Sequence, residues 1–503
     1  MENIGDLLHG FQVALTVYHL TLMVVGVLFG ILVGVLPGLG APNGVTLLIP
    51  LTFTMEPVSA IILLASMYWG ALFGGSTTSI LFNIPGEPSS VATTFDGHPM
   101  AKQGRATEAL SYAFLSAAFG ALFGVVVITL LAKPAAAFAH KFSSPEYFAV
   151  YFLAFACFVG LSGASPFKTL VSAGMGFSLA AVGMDTISGS LRLTFGLPDL
   201  IKGVSFLVAV IGLFGIGELI ATMEERLEFP GMRARVSPRD VLKTIAALPS
   251  YWVVLVRSSL VGCWMGITPG GPTAASFMSY GLARRFAPRT GKFGEGVPEG
   301  VIAPEAADHS AGTSAMLPML ALGIPGSATA AVMMGGLMIW GLHPGPMLFV
   351  DQKSFVWGLI ASMYVANVVA VVLVLFTVPL FAAILRIPFA IIGPLIVVVC
   401  FVSAWTVSSA PFDLWLAFLF GLIGYLFKKC EYPIAPLVLA MVIGDKAEDA
   451  FRQSMIIHGG SLGAFWSNWL CGTIMTLGIV LLFWPLLASL LQRGGKIPPL
   501  QDT

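Results

Sequence analysis

Two Pro-Gly motifs interrupt apolar segments in each half of the sequence, in the same order. The first half reads GVLPGLG at 34–40 and NIPG at 83–86, and the second half reads GITPGG at 266–271 and GIPG at 323–326. The prolines are 48 residues apart in the first half (37 to 85) and 56 in the second (269 to 325). Paired breaks at corresponding places are typical of a transporter whose binding site lies where two repeats meet.

The chemistry that such breaks offer is ion binding by the backbone. Proline lacks an N–H group and glycine relaxes the backbone limits, so helical hydrogen bonds are lost there. The freed carbonyl groups can coordinate a cation, and the N–H groups at the next helix start can hold an anion. The predicted cation-coordinating residues are Pro37, Gly38, Leu39, Gly40, Asn43, Pro269, Gly270, Gly271 and Thr273. The alternative is a set of simple helix kinks.

Small and hydroxylated residues flank the breaks and suit a carboxylate ligand. Hydroxyl groups and helix N-termini donate hydrogen bonds without adding an immobile countercharge. The predicted substrate-binding residues are Ser76, Thr77, Thr78, Asn83, Pro85, Gly86, Thr313, Ser314, Pro325, Gly326 and Ser327. The alternative is helix packing through small residues, which uses the same residue types.

A titratable pair, Asp308 and His309, precedes the last motif. An ionisable group at membrane depth is a functional hypothesis by default, so both residues are candidate proton carriers. A solvated pair at the membrane interface is the alternative. The five cysteines form no CxxC pair and the seven histidines no HxxxH pair, so the sequence predicts no cofactor and no metal beyond a transported Na⁺.

The composition is that of a polytopic membrane protein. Of the 503 residues, 57% are hydrophobic and 10% are charged, whereas soluble proteins carry about 25% charged residues. The mean hydropathy is +0.91. Lys and Arg balance Asp and Glu at 25 each, so no net charge indicates a nucleic-acid partner.

Membrane helices must position these motifs. Because a span needs roughly 20 apolar residues, we expect an all-α polytopic membrane protein of about 12 transmembrane helices, with broken helices or re-entrant hairpins at the motifs. Full-length candidates cover residues 14–36, 57–75, 107–131, 145–163, 166–183, 203–222, 250–268, 355–385, 390–410, 411–427 and 464–491. Shorter elements cover 44–53, 76–84, 272–283, 311–323, 326–342 and 433–444.

The order of the motifs divides the chain into two internal repeats. Residues 1–222 form the first predicted transmembrane repeat, 223–249 a polar linker loop, and 250–503 the second repeat plus a C-terminal helix. The basic residues of the linker predict a cytoplasmic location. An inverted relation between the repeats is expected.

The sequence has no motif for ATP hydrolysis. No GxxxxGK[ST] loop is present, so coupling to an ion gradient is expected. Short patterns around Ser162 and Ser461 are similar to those of serine hydrolases, and an intramembrane serine hydrolase is the enzyme alternative. Ser162 has no convincing His partner and Ser461 lacks the strand–turn–helix context. The chain is therefore predicted not to be an enzyme.

A family resemblance rests on the Pro-Gly blocks together with GGS at 74–76, DGHPMA at 96–101 and PLVL at 436–439. These motifs resemble the large membrane subunit of the tripartite tricarboxylate transporters, the TctA family, over nearly the whole chain. The resemblance implies a multi-pass protein of the bacterial inner membrane. It also implies secondary active uptake of citrate-like tricarboxylates or dicarboxylates, by symport with H⁺ or Na⁺.

The same resemblance implies two partners, a TctB-like small membrane subunit and a TctC-like periplasmic solute-binding protein. An elevator-type movement is expected by analogy of fold alone. The alternative function is an anion channel, a pore without obligate coupling. A channel is expected to show charged rings or a continuous polar stripe, whereas paired broken helices favour alternating access.

Overall fold

The protein is almost entirely helical. The structure is a computed structural model that describes residues 2–36, 39–161, 165–185, 187–225, 237–268, 271–286, 291–384 and 389–494. It is 82% helical. Within those ranges, the only sheet is a hairpin of β1 (Gly183–Met184) and β2 (Leu191–Arg192).

The described helices fall into two sets, one before and one after the predicted linker. The first set comprises α1 (Glu2–Ala14), α2 (Val17–Val35), α3 (Gly40–Leu48), α4 (Pro57–Phe82), α5 (Val91–Lys102), α6 (Ala106–Ala139), α7 (Ser144–Leu161), α8 (Pro166–Ala180), α9 (Phe206–Val210), a π-helical turn (Ile211–Ile216) and α10 (Gly217–Glu225). The second set comprises α11 (Pro238–Ala247), α12 (Trp252–Ile267), α13 (Gly271–Phe286), α14 (Glu299–Ser314), α15 (Met316–Leu322), α16 (Ala328–Ile339), α17 (Leu348–Asp351), α18 (Lys353–Ile384), α19 (Phe389–Ser408), α20 (Pro411–Lys429), α21 (Ile434–Ile457) and α22 (Trp469–Gly494).

The expected all-α polytopic class is confirmed. Seven helices of the described ranges are long and apolar enough to cross a membrane: Val17–Val35, Pro57–Phe82, Ala106–Ala139, Phe206–Glu224, Pro238–Ile267, Lys353–Leu380 and Pro411–Lys429. Four shorter apolar helices accompany them: Ser144–Gly160, Ala328–Ile339, Gly393–Ser408 and Trp469–Trp484.

One predicted boundary is wrong. Residues 57–75 and 76–84 were expected as separate elements, but α4 runs unbroken from Pro57 to Phe82. The hydroxyl groups of Ser76 and Ser79 lie 3.2 and 2.9 Å from carbonyl oxygens one turn earlier, so these residues fit within a helix. An unbroken helix also satisfies the buried backbone groups of this apolar segment.

The chain forms two compact units, the first comprising Met1–His140 and Val204–Cys430, and the second Lys141–Gly203 and Glu431–Thr503. Each unit is a set of residues that contact one another, whereas a repeat is a segment whose helices match those of another segment. The bounds of the units therefore neither support nor contradict the predicted repeats. The core of the first unit lies among α2, α4, α6, α14 and α18.

In that unit α2 packs along α4, and α12 packs along α14. Glycines allow both close approaches. A Cβ atom on Gly34 would lie 2.0 Å from the Ala71 carbonyl oxygen, and one on Gly266 would lie 2.3 Å from the Ala311 carbonyl oxygen. In the second unit α8 packs on α21, and α7 packs on α21 and α22.

Candidate functional site

The helix breaks at the NIPG motif (83–86) and the GIPG motif (323–326) have the same geometry. α4 ends at Asn83 and α15 ends at Gly323, both in the left-handed region with φ of 59° and 67°. The Ile84 nitrogen lies 3.5 Å from the Thr78 carbonyl oxygen. The Ile324 nitrogen lies 3.2 Å from the Pro318 carbonyl oxygen. Both hydrogen bonds join residues six positions apart, and each follows a residue in the left-handed region, so the NIPG and GIPG segments leave their helices in the same way.

The glycines that follow the breaks pack against matching backbone groups. A Cβ atom on Gly86 would lie 2.0 Å from the Gly34 carbonyl oxygen, and one on Gly326 would lie 2.3 Å from the Gly266 carbonyl oxygen. Only glycine permits this approach. Each break is therefore held against the helix that carries the first motif of its own repeat.

Contacts between the repeats are reciprocal. The Trp69 indole donates a 3.1 Å hydrogen bond to Thr313, and the rings of Phe73 and His309 lie 4.5 Å apart. His309 follows Trp69, and Thr313 follows Phe73, by the same 240 positions, which also separate Pro85 from Pro325. Contacts in which residue i meets j′ and j meets i′ are the pattern that two copies related by a two-fold rotation would give. The inverted orientation stays a prediction.

Three titratable side chains of α14 form a group, which we call the acidic cluster: Glu305, Asp308 and His309. All are at most 1% exposed. Glu305 accepts hydrogen bonds from Ser76 at 2.8 Å and from Thr93 at 2.6 Å, one on each carboxylate oxygen. Both donors come from the first repeat, so the cluster lies at the contact between repeats.

Asp308 differs from Glu305 in having no hydrogen-bond partner on either carboxylate oxygen. The Nδ1 atom of His309 lies 3.3 Å from the Glu305 carbonyl oxygen, which can only accept, so Nδ1 carries the proton. The other nitrogen, Nε2, has no partner. A buried polar group without a partner is costly, so Asp308 and His309 stay candidates for a functional position.

The cluster does not suit a resident metal ion. Its ligand atoms lie within 4.8 Å of one another, but Nδ1 of His309 is engaged as a donor, and both Glu305 oxygens already accept hydrogen bonds. The Asp308 carboxylate and Nε2 of His309 are left uncommitted, which makes two ligands at most. Structural and catalytic zinc sites use three or four protein ligands.

Glu87 supplies a further buried carboxylate, in the segment that follows the first break. It is 7% exposed and accepts a hydrogen bond from the backbone N–H of Ala41 in the first turn of α3. A Cβ atom on Gly40, where φ is +63°, would lie 3.6 Å from the Glu87 carboxyl carbon. The chain's own carboxylate thus occupies the N-terminus of this helix.

The corresponding place in the second repeat has no carboxylate. Ser327 follows Glu87 by the same 240 positions. Among the described residues, a Cβ atom on Gly271, at the start of α13, would meet only the Gly326 carbonyl oxygen within 4 Å, at 3.8 Å. The buried Tyr68 hydroxyl approaches Ser327 and has no hydrogen bond of its own.

Several predicted substrate-binding hydroxyls are engaged by the protein itself. Thr77 and Thr78 donate to carbonyl oxygens one turn earlier in α4, at 3.1 and 3.0 Å, and Ser314 donates to carbonyl oxygens at 3.4 Å. Ser327 accepts the N–H of Ala330 at 3.1 Å and caps α16. Since a hydroxyl has one hydrogen, those that donate to carbonyls must turn to bind an anion. Their substrate role stays a prediction.

The predicted cation-coordinating residues begin α3 and α13. Leu39 and Gly40 lead into α3, and the Asn43 amide donates to the Leu39 carbonyl oxygen. Gly271 and Thr273 lie in the first turn of α13. The remaining four lie outside the described residues: Pro37, Gly38, Pro269 and Gly270.

Sequence reasoning missed Glu305, Thr93 and Tyr68. Glu305 precedes Asp308 and His309 by three and four positions, which places all three on one face of a helix. An acidic residue at that spacing in a chain with 10% charged residues was a signal that could have identified it. Thr93 and Tyr68 carry no comparable signal, because their positions depend on the packing of distant helices.

Asp96, in the DGHPMA motif, holds the segment that precedes α14. Its Oδ1 accepts the N–H groups of Gly294, Gly296 and Val297 at 2.9, 2.9 and 3.0 Å. Its Oδ2 accepts the Tyr280 hydroxyl at 2.9 Å. Asp96 is fully buried, and it fixes where α14 begins.

The second unit contains a network of ion pairs. Arg452 lies 2.7 Å from Asp185 and 3.2 Å from Glu448, which also pairs with Arg192 at 2.6 Å. Of the two serine-hydrolase-like patterns, Ser162 lies outside the described residues. Ser461 lies in a turn, where its hydroxyl accepts a backbone N–H.

Comparison with known proteins gives a family match and two relatives. The family model of the "Tripartite tricarboxylate transporter TctA family" matches residues 20–439. The chain is 34% identical over 501 residues, covering 99% of both chains, to the Agrobacterium vitis "Uncharacterized 52.8 kDa protein in TAR-I ttuC' 3'region". It is 32% identical over 237 residues, 47% of this chain and 98% of the other, to the "Uncharacterized protein in TAR-II ttuC' 3'region" of the same organism. No solved structure matches the chain.

Proposed function

Because the chain belongs to the tripartite tricarboxylate transporter TctA family, we propose that it carries out secondary active uptake of organic carboxylate anions. The substrate class is citrate-like tricarboxylates or dicarboxylates, and the driving force is an H⁺ or Na⁺ gradient. The family is a transporter family, which agrees with a function that is not enzymatic.

The partners proposed for this chain are those of the tripartite system. A small membrane subunit joins it in the bacterial inner membrane, and a periplasmic solute-binding protein delivers the substrate. The multi-pass helical fold suits this location. The chain requires no bound cofactor in this proposal, since the ion gradient supplies the energy.

The observation that carries the proposal is the pair of matched breaks around one buried polar region. Asn83 and Gly323 end their helices alike, and the reciprocal contacts of Trp69 and His309 join the two repeats beside them. Broken helices at a repeat interface are the usual binding site of secondary transporters. Two similar half-sites also suit alternating access, because each can open while the other is closed.

The asymmetry between the half-sites favours the second repeat as the place of a substrate carboxylate. In the first repeat Glu87 fills the N-terminus of α3, whereas at the start of α13 a Cβ atom on Gly271 would come no closer than 3.8 Å to the described residues, at the Gly326 carbonyl oxygen. Helix N-termini attract anions. The Tyr68 hydroxyl is a donor available to such a ligand, because it is buried without a hydrogen bond.

Uptake in reconstituted vesicles tests the proposal. The protein is combined with its small subunit, the solute-binding protein and a labelled carboxylate, and vesicles without the binding protein serve as the control. We expect accumulation above the outside concentration only when an H⁺ or Na⁺ gradient is imposed. Uptake that requires ATP after both gradients are collapsed contradicts the proposal, and equilibration without accumulation indicates a channel.

Tyr68→Phe tests the substrate half-site in the same assay. Removing a hydroxyl that makes no protein hydrogen bond is expected to raise the KM for uptake and leave thermal stability unchanged. The matched control is Tyr18→Phe, where the side chain is 55% exposed. An unchanged KM in the Tyr68 variant removes this residue from the substrate site.

A further inference from the structure

We propose that the Asp308 carboxylate, between Glu305 and His309, is the site that binds the coupling proton. This inference rests on the proposed transport function and names the ion and the atom that the function requires. One proton binds to a carboxylate oxygen of Asp308 on one side of the membrane and leaves on the other, with no other bond made or broken.

The charges around Asp308 require a compensating positive charge. Its charged neighbours are two further carboxylates, Glu305 and Glu87. Within the described part of the chain, the sole ion-pair contact of Asp308 is to His309, whose Nδ1 lies 4.0 Å away. The ion-pair contact of Glu305 is to the same nitrogen, at 3.8 Å. Neighbouring ionised carboxylates in a buried, low-dielectric region repel each other strongly. A proton on Asp308 removes that repulsion.

Among the described residues, the elements that pack around Asp308 bring it no lysine or arginine side chain. Arg257 of α12 and Arg285 of α13 both lie over the Phe286 ring, at 5.8 and 5.5 Å. Helix α6 packs on α14 through residues 120–124, and none of these five residues of α6 is titratable. The titratable groups that approach Asp308 itself are Glu305, Glu87, the Tyr68 hydroxyl and the His309 ring. Of the other titratable groups on the packed elements, Asp96 of α5 and Tyr280 of α13 bind each other.

The ligand geometry favours a proton over a sodium ion. Sodium sites in transporters recruit carbonyl oxygens of unwound backbone, whereas α14 is continuous from Glu299 to Ser314. Both Glu305 oxygens already accept hydroxyl groups, and imidazole is not a ligand that hard cations prefer. A proton needs only one oxygen, and Asp308 offers two without partners.

The first predicted repeat has no carboxylate side chain at the positions that correspond to Glu305 and Asp308. At the positions 240 residues earlier, Ala65, Tyr68 and Trp69 stand where the second repeat has Glu305, Asp308 and His309. Tyr68 and Asp308 approach each other across the contact between repeats. Since neutral residues fill the equivalent helix, the acids of α14 serve a purpose other than packing.

His309 is placed to pass the proton to Asp308. Its Nδ1 atom lies 3.8 Å from a Glu305 carboxylate oxygen and 4.0 Å from one of Asp308, and its Nε2 is free to accept. A ring that takes a proton at Nε2 can release the one at Nδ1. His309 therefore acts as a positioning and relay residue, and Asp308 holds the proton.

The test uses Asp308→Asn, which resembles the protonated acid in size and charge. The matched control is Asp445→Asn on α21, where the carboxylate is exposed. Infrared spectroscopy of the purified proteins measures the carbonyl stretch of a protonated carboxylic acid near neutral pH. Vesicle assays with the full tripartite system measure both gradient-driven accumulation and carboxylate exchange at equal concentrations.

We expect the wild-type protein and Asp445→Asn to show the protonated-acid band, and Asp308→Asn to lose it. Asp308→Asn should lose accumulation in a pH gradient and keep exchange, because exchange needs no net movement of protons. The infrared result does not depend on transport. If no carboxylate accumulates even in the wild-type protein, the transport proposal fails while the band still decides the role of Asp308.

Three results would overturn the inference. A band that persists in Asp308→Asn places the proton elsewhere. A wild-type protein without the band has no buried protonated acid, and this measurement holds even if the variant does not fold. Accumulation driven by a sodium gradient alone, with a protonophore present, identifies sodium as the coupling ion.

Discussion

At the scale of single residues, the molecule uses buried carboxylates in two opposite ways. Asp185, in the second unit, accepts the Arg452 guanidinium at 2.7 Å and a hydroxyl of Ser188 at 2.5 Å. Asp308, in the first unit, accepts no hydrogen bond. A carboxylate with a fixed countercharge stabilises the fold, whereas one without a partner is available to a mobile ion.

Asp185 gives a prediction about pH. The Arg452 guanidinium, with help from Ser188, holds the pKa of Asp185 well below its usual range. A lowered pKa stabilises the folded state above the unfolded value of about 4, and this contribution is lost as the pH falls through the folded pKa. We therefore expect Asp185→Asn to lower the thermal midpoint at neutral pH, by an amount that shrinks below about pH 4.

The control is Asp199→Asn, an exposed residue in the same connection between α8 and α9. Its midpoint should follow the wild-type value at every pH. Thermal unfolding in detergent from neutral to acidic pH measures both variants. A deficit in Asp185→Asn that does not change with pH would mean that its ion pair is not the cause.

At the scale of elements, glycines set the distance between the paired helices. Gly266 of α12 faces α14, and a Cβ atom there would lie 2.3 Å from the Ala311 carbonyl oxygen and 2.2 Å from the Ser314 hydroxyl. The hydroxyl can turn away, but the backbone oxygen cannot. We expect Gly266→Ala to lower the free energy of unfolding by about 1–3 kcal/mol, as overpacked cores do.

Gly281→Ala is the matched control for this prediction. Gly281 lies inside α13, where an added Cβ atom would meet no other atom within 4 Å. Alanine there should be neutral or stabilise the helix by up to about 1 kcal/mol, because it has the higher helix propensity. Thermal unfolding of both proteins measures the difference. Equal stability of the two variants would show that α12 and α14 can move apart at little cost.

At the scale of the whole molecule, the last helix of each predicted repeat packs on a helix of the other repeat. In the first unit, the segment Phe206–Glu225 of the first predicted repeat packs on α20 of the second. In the second unit, α21 of the second repeat packs on α8 of the first. The same packing in both directions agrees with the reciprocal contacts at the site, and both are properties of a two-fold relation.

Membrane topology tests whether that two-fold relation is inverted. Glu56 and Glu295 are exposed and precede the corresponding helices α4 and α14. We expect Glu56→Cys and Glu295→Cys to react with a membrane-impermeant thiol reagent from opposite sides of the membrane. The background is Cys430→Ser, since the other four native cysteines are buried. Labelling of both positions from one side would make the repeats parallel.

The sequence by itself determined the class of the protein and the position of its breaks. Apolar composition requires membrane helices, and the Pro-Gly pairs end them because of the local chemistry of those residues. The pairing of Asp308 with His309 as candidate proton carriers also came from the sequence. All of these follow from interactions between residues that are close along the chain.

Only the tertiary structure decided which groups meet. The Ser76 hydroxyl, predicted to face a substrate, donates to Glu305, and Glu87 rather than a ligand occupies the start of α3. The first contact joins residues 229 positions apart, and the second joins residues 46 positions apart. Such partners are selected by how whole helices pack, and local sequence patterns carry no information about that geometry.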